Sequence, residues 1–368
     1  MNAAHHGLPC AAPPAPHGGT DDGPPVAFDF STNANPYGPP PGLWRAVRRA
    51  PRHAYPEPGY RALRETLGAA LAVDPARIEP AAGGTEAIRR LTLAARLHGV
   101  GEAWVPWPAF GEYAAAAEAL GLRVHAYALS EGARPRRAAL VWACDPGSPD
   151  GRGLDASDWA RLGEACEASG SVLAVDRAYA PLRLEGRDLL PSGLAAGAWL
   201  LHCPNKVLGL TGVRAACLVA PSRPGRAGLA AAVRRCAPAW VLSAEGLALL
   251  AHWHAPESAR HVEDARCRLR IDRAALRVVL SDLGWTQDDS ATPFWLARPP
   301  EGRDVPTLLA GLRKHGVKLR DAASFGLPGR VRIAAQPPRA LAGLVDALHR
   351  LPPATHPSGS TLLPSTAP

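Results

Sequence analysis

The stretch "AWLLHCPNKVLGLTGVRAACLVA" (198–220) sets two apolar runs of strand length on either side of a polar, glycine-bearing turn. "AWLLHC" (198–203) and "RAACLVA" (214–220) are continuously apolar, the pattern of strands buried on both faces. Between the runs stand Asn205 and Lys206, and Arg214 follows the lysine by eight residues. Three more strands of the same kind are predicted upstream: "EAWVPW" (102–107), "RAALVWAC" (137–144) and "SVLAVD" (171–176). "GYRALRETLGAALA" (59–72) and "TEAIRRLTLAARLHG" (85–99) instead space their apolar residues by three and four, and the second closes at Gly99, a predicted helix C-cap. Strands separated by helices predict an α/β fold whose mostly parallel sheet is sandwiched by helices. Ligands in such folds sit at the carboxyl ends of the strands.

The last third changes character. "APAWVLSAEGLALLAHWH" reads as a helix start and "ESARHVEDARCRLRIDRAALRVVLSDLG" as one long amphipathic helix. "PFWLARP", "VPTLLAGLRKHG", "VKLRDA", "RVRIAAQ" and "PRALAGLVDALHRL" then read as a compact unit, a smaller α+β C-terminal domain. Residues 1–25 and 353–368 are rich in Pro, Gly, Ser, Thr and Ala without periodicity and are expected to be loosely ordered tails. The expected division is 26–45 as an N-terminal segment over the active site, 46–250 as the large domain and 251–352 as the small one.

The 368 residues carry a net charge of +8, but the arginines are spread along the chain and alternate with acids, so nucleic-acid binding is not expected. Anionic small molecules fit that charge better. The seven cysteines show no C-x-x-C pair and no His/Cys ligand spacing, which predicts free thiols and no metal site. No apolar run of membrane-spanning length occurs, and the first residues lack the plan of a secretory signal. A cytoplasmic protein without a membrane partner is expected.

Lysine is scarce: Lys206, Lys314 and Lys318 are all there are. Lys206 and Asn205 follow one predicted strand and Asp176 ends another, while Gly83, Gly84 and Thr85 open the helix "EAIRRL". Taken singly these have ordinary readings as a solvated lysine, a strand-end cap and a turn with an N-cap. Strand-end placement puts all of them on one rim of the sheet, where a single ligand could touch them.

With the motifs "DFSTNANPYGPP" (29–40), "AYPEPGYRALRETL" (54–67), "AAGGTEAI" (81–88), "PWPAFGEY" (106–113), "DPGSPDGR" (145–152), "VDRAY" (175–179), "NKVLGLTGVR" (205–214) and "VKLRDAASFGLPGRVRIA" (317–334), the chain resembles the fold-type I, aspartate-aminotransferase-like pyridoxal-phosphate enzymes. Within them it is most similar to the branch that holds histidinol-phosphate aminotransferase and threonine-phosphate decarboxylase. The resemblance covers about residues 26–350. It implies pyridoxal 5'-phosphate as cofactor and Lys206 as the amine that forms a Schiff base with it and then moves protons at the substrate Cα. It further implies Asp176 beside the pyridine nitrogen, Tyr179 near the ring oxygen, and Phe110 stacked on the ring. Gly84, Thr85 and Arg214 would hold the phosphate, with Tyr55 reaching the phosphate of a neighbouring subunit in a homodimer. Arg332 would grip the substrate α-carboxylate, Arg320 would face its distal end, and Asn35, with Asn33, would lie in the segment folded over the site. Glycines 209 and 212 are expected to let the backbone pass close to the cofactor.

The chain departs from the family in places. Ser148 stands where an asparagine would meet the ring oxygen, Arg177 replaces an acid, and Cys203 and Asn205 occupy the usual serine or threonine positions before the lysine. The resemblance implies an aminotransferase acting on an amino acid with an anionic or polar side chain. Its alternatives are decarboxylation of threonine phosphate in cobalamin biosynthesis, toward which "HGG" (17–19), "FGEY" and "PAWVLSA" lean, and a non-catalytic cofactor-binding relative.

Overall fold

A computed structural model describes residues 18–222 and 227–352. The tail expected over 353–368, and residues 1–17 of the one expected over 1–25, lie outside the described residues. Along the chain the elements are β1 (Phe28–Asp29), α1 (Pro41–Arg48), α2 (Arg61–Leu71), β2 (Ile78–Ala81), α3 (Gly84–Leu97), β3 (Glu102–Pro106), α4 (Glu112–Ala119), β4 (Arg123–Tyr127) and β5 (Leu140–Cys144). Then come α5 (Ala156–Ser169), β6 (Val172–Asp176), α6 (Ser192–Gly197), β7 (Trp199–His202), β8 (Ala216–Val219), α7 (Ala227–Arg235) and α8 (Ala244–His252). The last are α9 (Pro256–Asp282), β9 (Thr286–Gln287), β10 (Phe294–Arg298), α10 (Val305–Lys314), β11 (Val317–Lys318), β12 (Arg320–Asp321), β13 (Val331–Ala334) and α11 (Pro338–His349).

Seven strands form one sheet in the order β2-β8-β7-β6-β5-β3-β4. The run from β7 through β6, β5 and β3 to β4 is parallel, while β8 lies antiparallel to both of its neighbours. The period-two side-chain alternation explains why the strands read as unbroken apolar runs. Leu140, Trp142 and Cys144 of β5 enter one core cluster, and Val141 and Ala143 enter the other, on the opposite face. Both faces are dry, so neither register of the alternation can be polar. Burying a side chain such as Trp142 or Leu201 on such a face stabilises the fold by about 2–3 kcal/mol each. The long helix starts at Pro256 and runs 27 residues to the second sheet, β12-β13-β10-β9.

The N-terminal segment is tied to the C-terminal third. β1 pairs with β11, the Phe30 N–H donates to the Lys318 carbonyl, and the Ala334 N–H donates to the Phe30 carbonyl. Farther back, Asp21 pairs with Arg313 and Lys318, both at 2.6 Å. Residues 30–38 are thereby carried across the carboxyl ends of β6 and β7.

Candidate active site

Three strand ends build the site's floor. β6 ends on Asp176, which is buried; its Oδ2 accepts a hydrogen bond from the Tyr113 hydroxyl (2.7 Å) and its Oδ1 one from the Ala178 N–H (2.8 Å). Burial pushes the Asp176 carboxyl above its ordinary range, although Lys206 and the Tyr113 hydroxyl pull the other way. A cation facing Asp176 would stabilise the anion that burial disfavours. Tyr113, stacked on Trp142 with centroids 4.9 Å apart, holds that acid, and Phe110 packs edge-on against Tyr113 at 5.8 Å.

The turn after β7 carries Lys206. Its Nζ lies 4.9 Å from the centroid of the Tyr179 ring. Burial alone would lower the amine's pKa; Tyr179, Cys203 and Asp176 reverse this, and the amine is raised above the ordinary lysine value. Tyr179 in turn accepts a hydrogen bond from Asn33 Nδ2 (3.2 Å) and packs against Phe294. Asn35 spends its whole carboxamide on backbone: Nδ2 donates to the Val207 carbonyl (3.1 Å) and Oδ1 accepts from the Tyr37 N–H (3.0 Å). Its own N–H donates to the Lys206 carbonyl, so the segment pins the lysine's loop from above. Gly209 belongs to the same contact. With φ at +63°, a Cβ there would stand 2.9 Å from Gly38, so its smallness admits the N-terminal segment. A Cβ on Gly212 would meet no protein atom within 4 Å.

The loop entering α3 and the turn after β7 meet at a third point. Gly83, at φ +93°, precedes the first turn of α3, and a Cβ on it would stand 2.6 Å from the Arg214 guanidinium. Arg214 donates to the Thr211 carbonyl (3.0 Å). A guanidinium against a helix N-terminus sets positive charge beside the positive end of the helix dipole, an arrangement an intervening anion stabilises. Gly84 and Thr85 lie in that first turn.

The fourth wall is cationic. β12 and β13 pair antiparallel with Arg320 directly opposite Arg332, so both side chains leave the same face of the sheet. Arg332 is buried, donates to Ser148 Oγ (3.3 Å) and the Ser31 carbonyl (2.7 Å), and lies 5.6 Å from the Phe325 ring centroid. Those partners are neutral, and burial lowers its pKa to about 10, with Arg320 adding to the depression. Arg320 donates to Ser324 Oγ (2.6 Å) and faces the same Phe325 ring. Ser148, expected near the ring oxygen, is engaged on this arginine side. The chain at Gly18 closes over Arg332, since a Cβ there would stand 2.8 Å from its guanidinium.

Among the described residues the side chains thus offer a buried acid, an amine, a helix N-terminus beside an arginine, and two facing arginines. The buried Asn33 Oδ1 and Arg332 Nε have no hydrogen-bond partner. Pyridoxal phosphate fits this donor set: a basic ring nitrogen for Asp176, an aldehyde for Lys206 and a phosphate for the α3 end. The aminotransferase class I and II family model matches residues 26–348. The chain belongs to that family. It is a pyridoxal-phosphate-dependent aminotransferase.

The comparisons narrow its surroundings further. The chain is 30% identical over 324 residues to histidinol-phosphate aminotransferase from Granulibacter bethesdensis, covering 83% of this chain and 84% of that one. Two solved structures share the fold. L-threonine-O-3-phosphate decarboxylase from Porphyromonas gingivalis gives a TM-score of 0.75 at 22% identity, over 87% of this chain and 98% of that one. Histidinol-phosphate aminotransferase from Sinorhizobium meliloti, solved in complex with pyridoxal-5'-phosphate, gives 0.71 at 20% identity, over 88% and 90%.

Tyr55, expected to reach a cofactor phosphate, stands apart from this cluster, and Arg177 is spent on Asp145 and Asp188. Tyr55 is 77% exposed and stacks on the half-exposed Trp240, with centroids 4.3 Å apart. Two contributors escaped the sequence reading. Tyr113 lies 63 residues from the acid it holds, and Ser31 lies 301 residues from Arg332, so no local spacing announces either. Among the described residues no His, Cys, Asp or Glu cluster could hold a metal, and no helix is long and apolar enough to cross a membrane.

Proposed function

We propose that this chain moves the amino group of an amino acid whose side chain ends in an anion. The observation that carries the reading is Arg320 directly opposite Arg332 on neighbouring strands, with the pair walled by Phe325. Two cations held face to face repel, and a ligand with two anionic groups relieves both. Arg332 takes the α-carboxylate as a bidentate pair and Arg320 the distal anion. Histidinol phosphate, in the names of the curated relatives, is an amino-alcohol ester: its phosphate stands where an amino acid has its α-carboxylate and its far end is an imidazole, so it offers an anion to Arg332 and none to Arg320. Dicarboxylates and phosphorylated amino acids satisfy both arginines.

The residues divide the work. Pyridoxal phosphate, when bound, supplies an electron sink for negative charge at the substrate Cα. Lys206 moves the proton at that carbon, and the Tyr179 ring beside its amine fixes the direction of approach. Asp176, held by Tyr113, keeps the ring nitrogen protonated. Gly84, Thr85 and Arg214 hold the phosphate, Phe110 lies toward the ring face, and Ser148 orients Arg332. Asn35 acts through the Lys206 loop. Tyr55 serves a second copy's site, which makes the active unit a homodimer. The reading treats 46–250 and 251–352 as the large and small domains. Cys144, Cys166, Cys203, Cys217, Cys236 and Cys267 are free thiols, in keeping with a reducing, cytoplasmic setting.

The test is a substrate panel of dicarboxylic and phosphorylated amino acids and histidinol phosphate with 2-oxoglutarate as acceptor. Glutamate formation with a doubly anionic donor, lost in Arg320→Gln, is expected. Carbon dioxide release from threonine phosphate without an acceptor would instead assign the decarboxylation of cobalamin biosynthesis. A preference for apolar amino acids would sink the two-arginine reading.

A further inference from the structure

The family's two hydroxyl positions before the lysine are here Cys203 and Asn205, and their geometry shows how the chain compensates. Cys203 Sγ lies 3.6 Å from where a Cβ on Gly84 would stand, so the thiol touches the first turn of α3. Its S–H donates to Asn205 Oδ1 at 3.2 Å. The Thr211 carbonyl fixes which end of the carboxamide is NH2, since only a donor can face it, and this leaves the oxygen to accept from the thiol, whose other acceptor, the Ala215 carbonyl, is farther at 3.8 Å. Asn205 Nδ2 then points into the turn, where one N–H makes a long contact of 3.4 Å to the Thr211 carbonyl. Arg214 Nη1 donates to the same carbonyl, and its guanidinium lies against Gly83. The amide therefore sits, 2% exposed, among Cys203, Thr211 and the α3–Arg214 junction. An amide NH2 has two donors, and the long contact to Thr211 uses one of them weakly.

We propose that Asn205, its carboxamide oxygen held by Cys203, is a phosphate-anchoring residue that supplies the donor the missing hydroxyls would have given. The inference rests on the pyridoxal-phosphate reading above. The NH2 group turns a donor toward the phosphate; replacing it by a carboxylate oxygen would turn a negative charge against it. Cys203 acts at one remove, as a positioning residue for that amide.

The experiment measures dissociation constants of the full-length apoprotein for pyridoxal phosphate and for pyridoxal, by quenching of tryptophan fluorescence. Both ligands present the same aldehyde to Lys206, and only one has a phosphate. Asn205→Asp is expected to weaken pyridoxal phosphate at least about tenfold while changing pyridoxal by less than about twofold. Cys203→Ser, which keeps a donor toward Asn205 Oδ1, is expected to retain the wild-type preference, and Cys203→Ala to reduce that preference several-fold. Equal weakening of both ligands in Asn205→Asp, or unchanged pyridoxal phosphate binding, would overturn the proposal. Should Asn205→Asp fail to fold, Cys203→Ala decides alone: an unchanged preference overturns the assignment. A wild-type protein that binds the two ligands equally would instead overturn the phosphate site itself.

Discussion

Arg332 is the residue on which the substrate reading depends most directly. Its hydrogen-bond partners are a hydroxyl and a carbonyl, and burial lowers its pKa to about 10 although Tyr179 and Asp29 favour the cation, so an arriving anion meets an incompletely compensated charge. A carboxylate held by two charge-assisted bonds contributes about 1.5–3 kcal/mol for each bond. Lysine keeps the charge but lacks the planar fork. Arg332→Lys is therefore expected to raise KM for the amino-acid donor by about 10- to 100-fold with kcat within a few-fold, read by steady-state kinetics. Unchanged KM would place the α-carboxylate elsewhere. At this scale the sequence was most legible where chemistry and strand ends coincide. Lys206 and Asp176 stand out because each follows an apolar run on one rim, and an amine and an acid at such ends need few further clues. The spacing of Gly209 to the lysine says that the chain turns tightly without saying which protein segment packs on it. The object that approaches is Gly38, 171 residues away in the chain.

The elements were legible where burial is two-sided and obscure where a strand lies at an edge. β5, β6, β7 and β8 read directly, since each is apolar on both faces. β2 was missed because Glu79 and Pro80 interrupt it. Pro80 is tolerated at the sheet's edge, and Glu79 is buried against Arg64 (3.1 Å) and Arg234 (2.6 Å), 15 and 155 residues distant. At the other edge β4 is half-polar and was passed over for the same reason. β7 makes a testable contribution to stability. His202, at its end, has its pKa lowered from 6.5 to about 3, by burial first and then by the nearby Arg177 and His254 charges. Below pH 6.5 the unfolded chain takes up a proton that the folded chain refuses until about pH 3, so the unfolded state binds more protons and stability falls as pH falls through that window. One such group contributes a slope of about 1.4 kcal/mol per pH unit at most. Urea unfolding at pH 7, 6 and 5 is expected to show a shallower acid slope in His202→Gln than in the parent. Identical slopes would mean that other groups govern acid lability.

Across the whole molecule, the site is assembled from four distant parts of the chain: the N-terminal segment near Asn33, the α3 entrance, the β6 and β7 ends, and the β12–β13 pair. Composition and periodicity could forecast the two sheets, but not that β1 would pair with β11 and carry Asn33 over Tyr179, since that pairing joins segments some 289 residues apart. One predicted participant has no place in this assembly. Tyr55 is 77% exposed and stacked on Trp240, which is itself 46% exposed, forming a two-ring aromatic patch on the surface. An exposed aromatic pair is costly to leave in water and is the composition expected at the core of a protein interface. In a two-fold dimer whatever one copy lends, it also receives, so Tyr55 of each copy would complete the site of the other. Mixed dimers test this. Lys206→Ala has no amine and is expected to be inactive as a homodimer, while Tyr55→Ala is expected to weaken both of its sites through loss of the proposed phosphate contact. A heterodimer of the two variants contains one site with the Lys206 of one copy and the Tyr55 of the other, and a second site lacking both. Unfolding and refolding equal amounts together gives half heterodimers, so about a quarter of all sites are intact and activity at limiting pyridoxal phosphate rises above that of the unmixed pair. If Tyr55 acted only within its own copy, every Lys206-bearing site would lack it, and mixing would give no such rise.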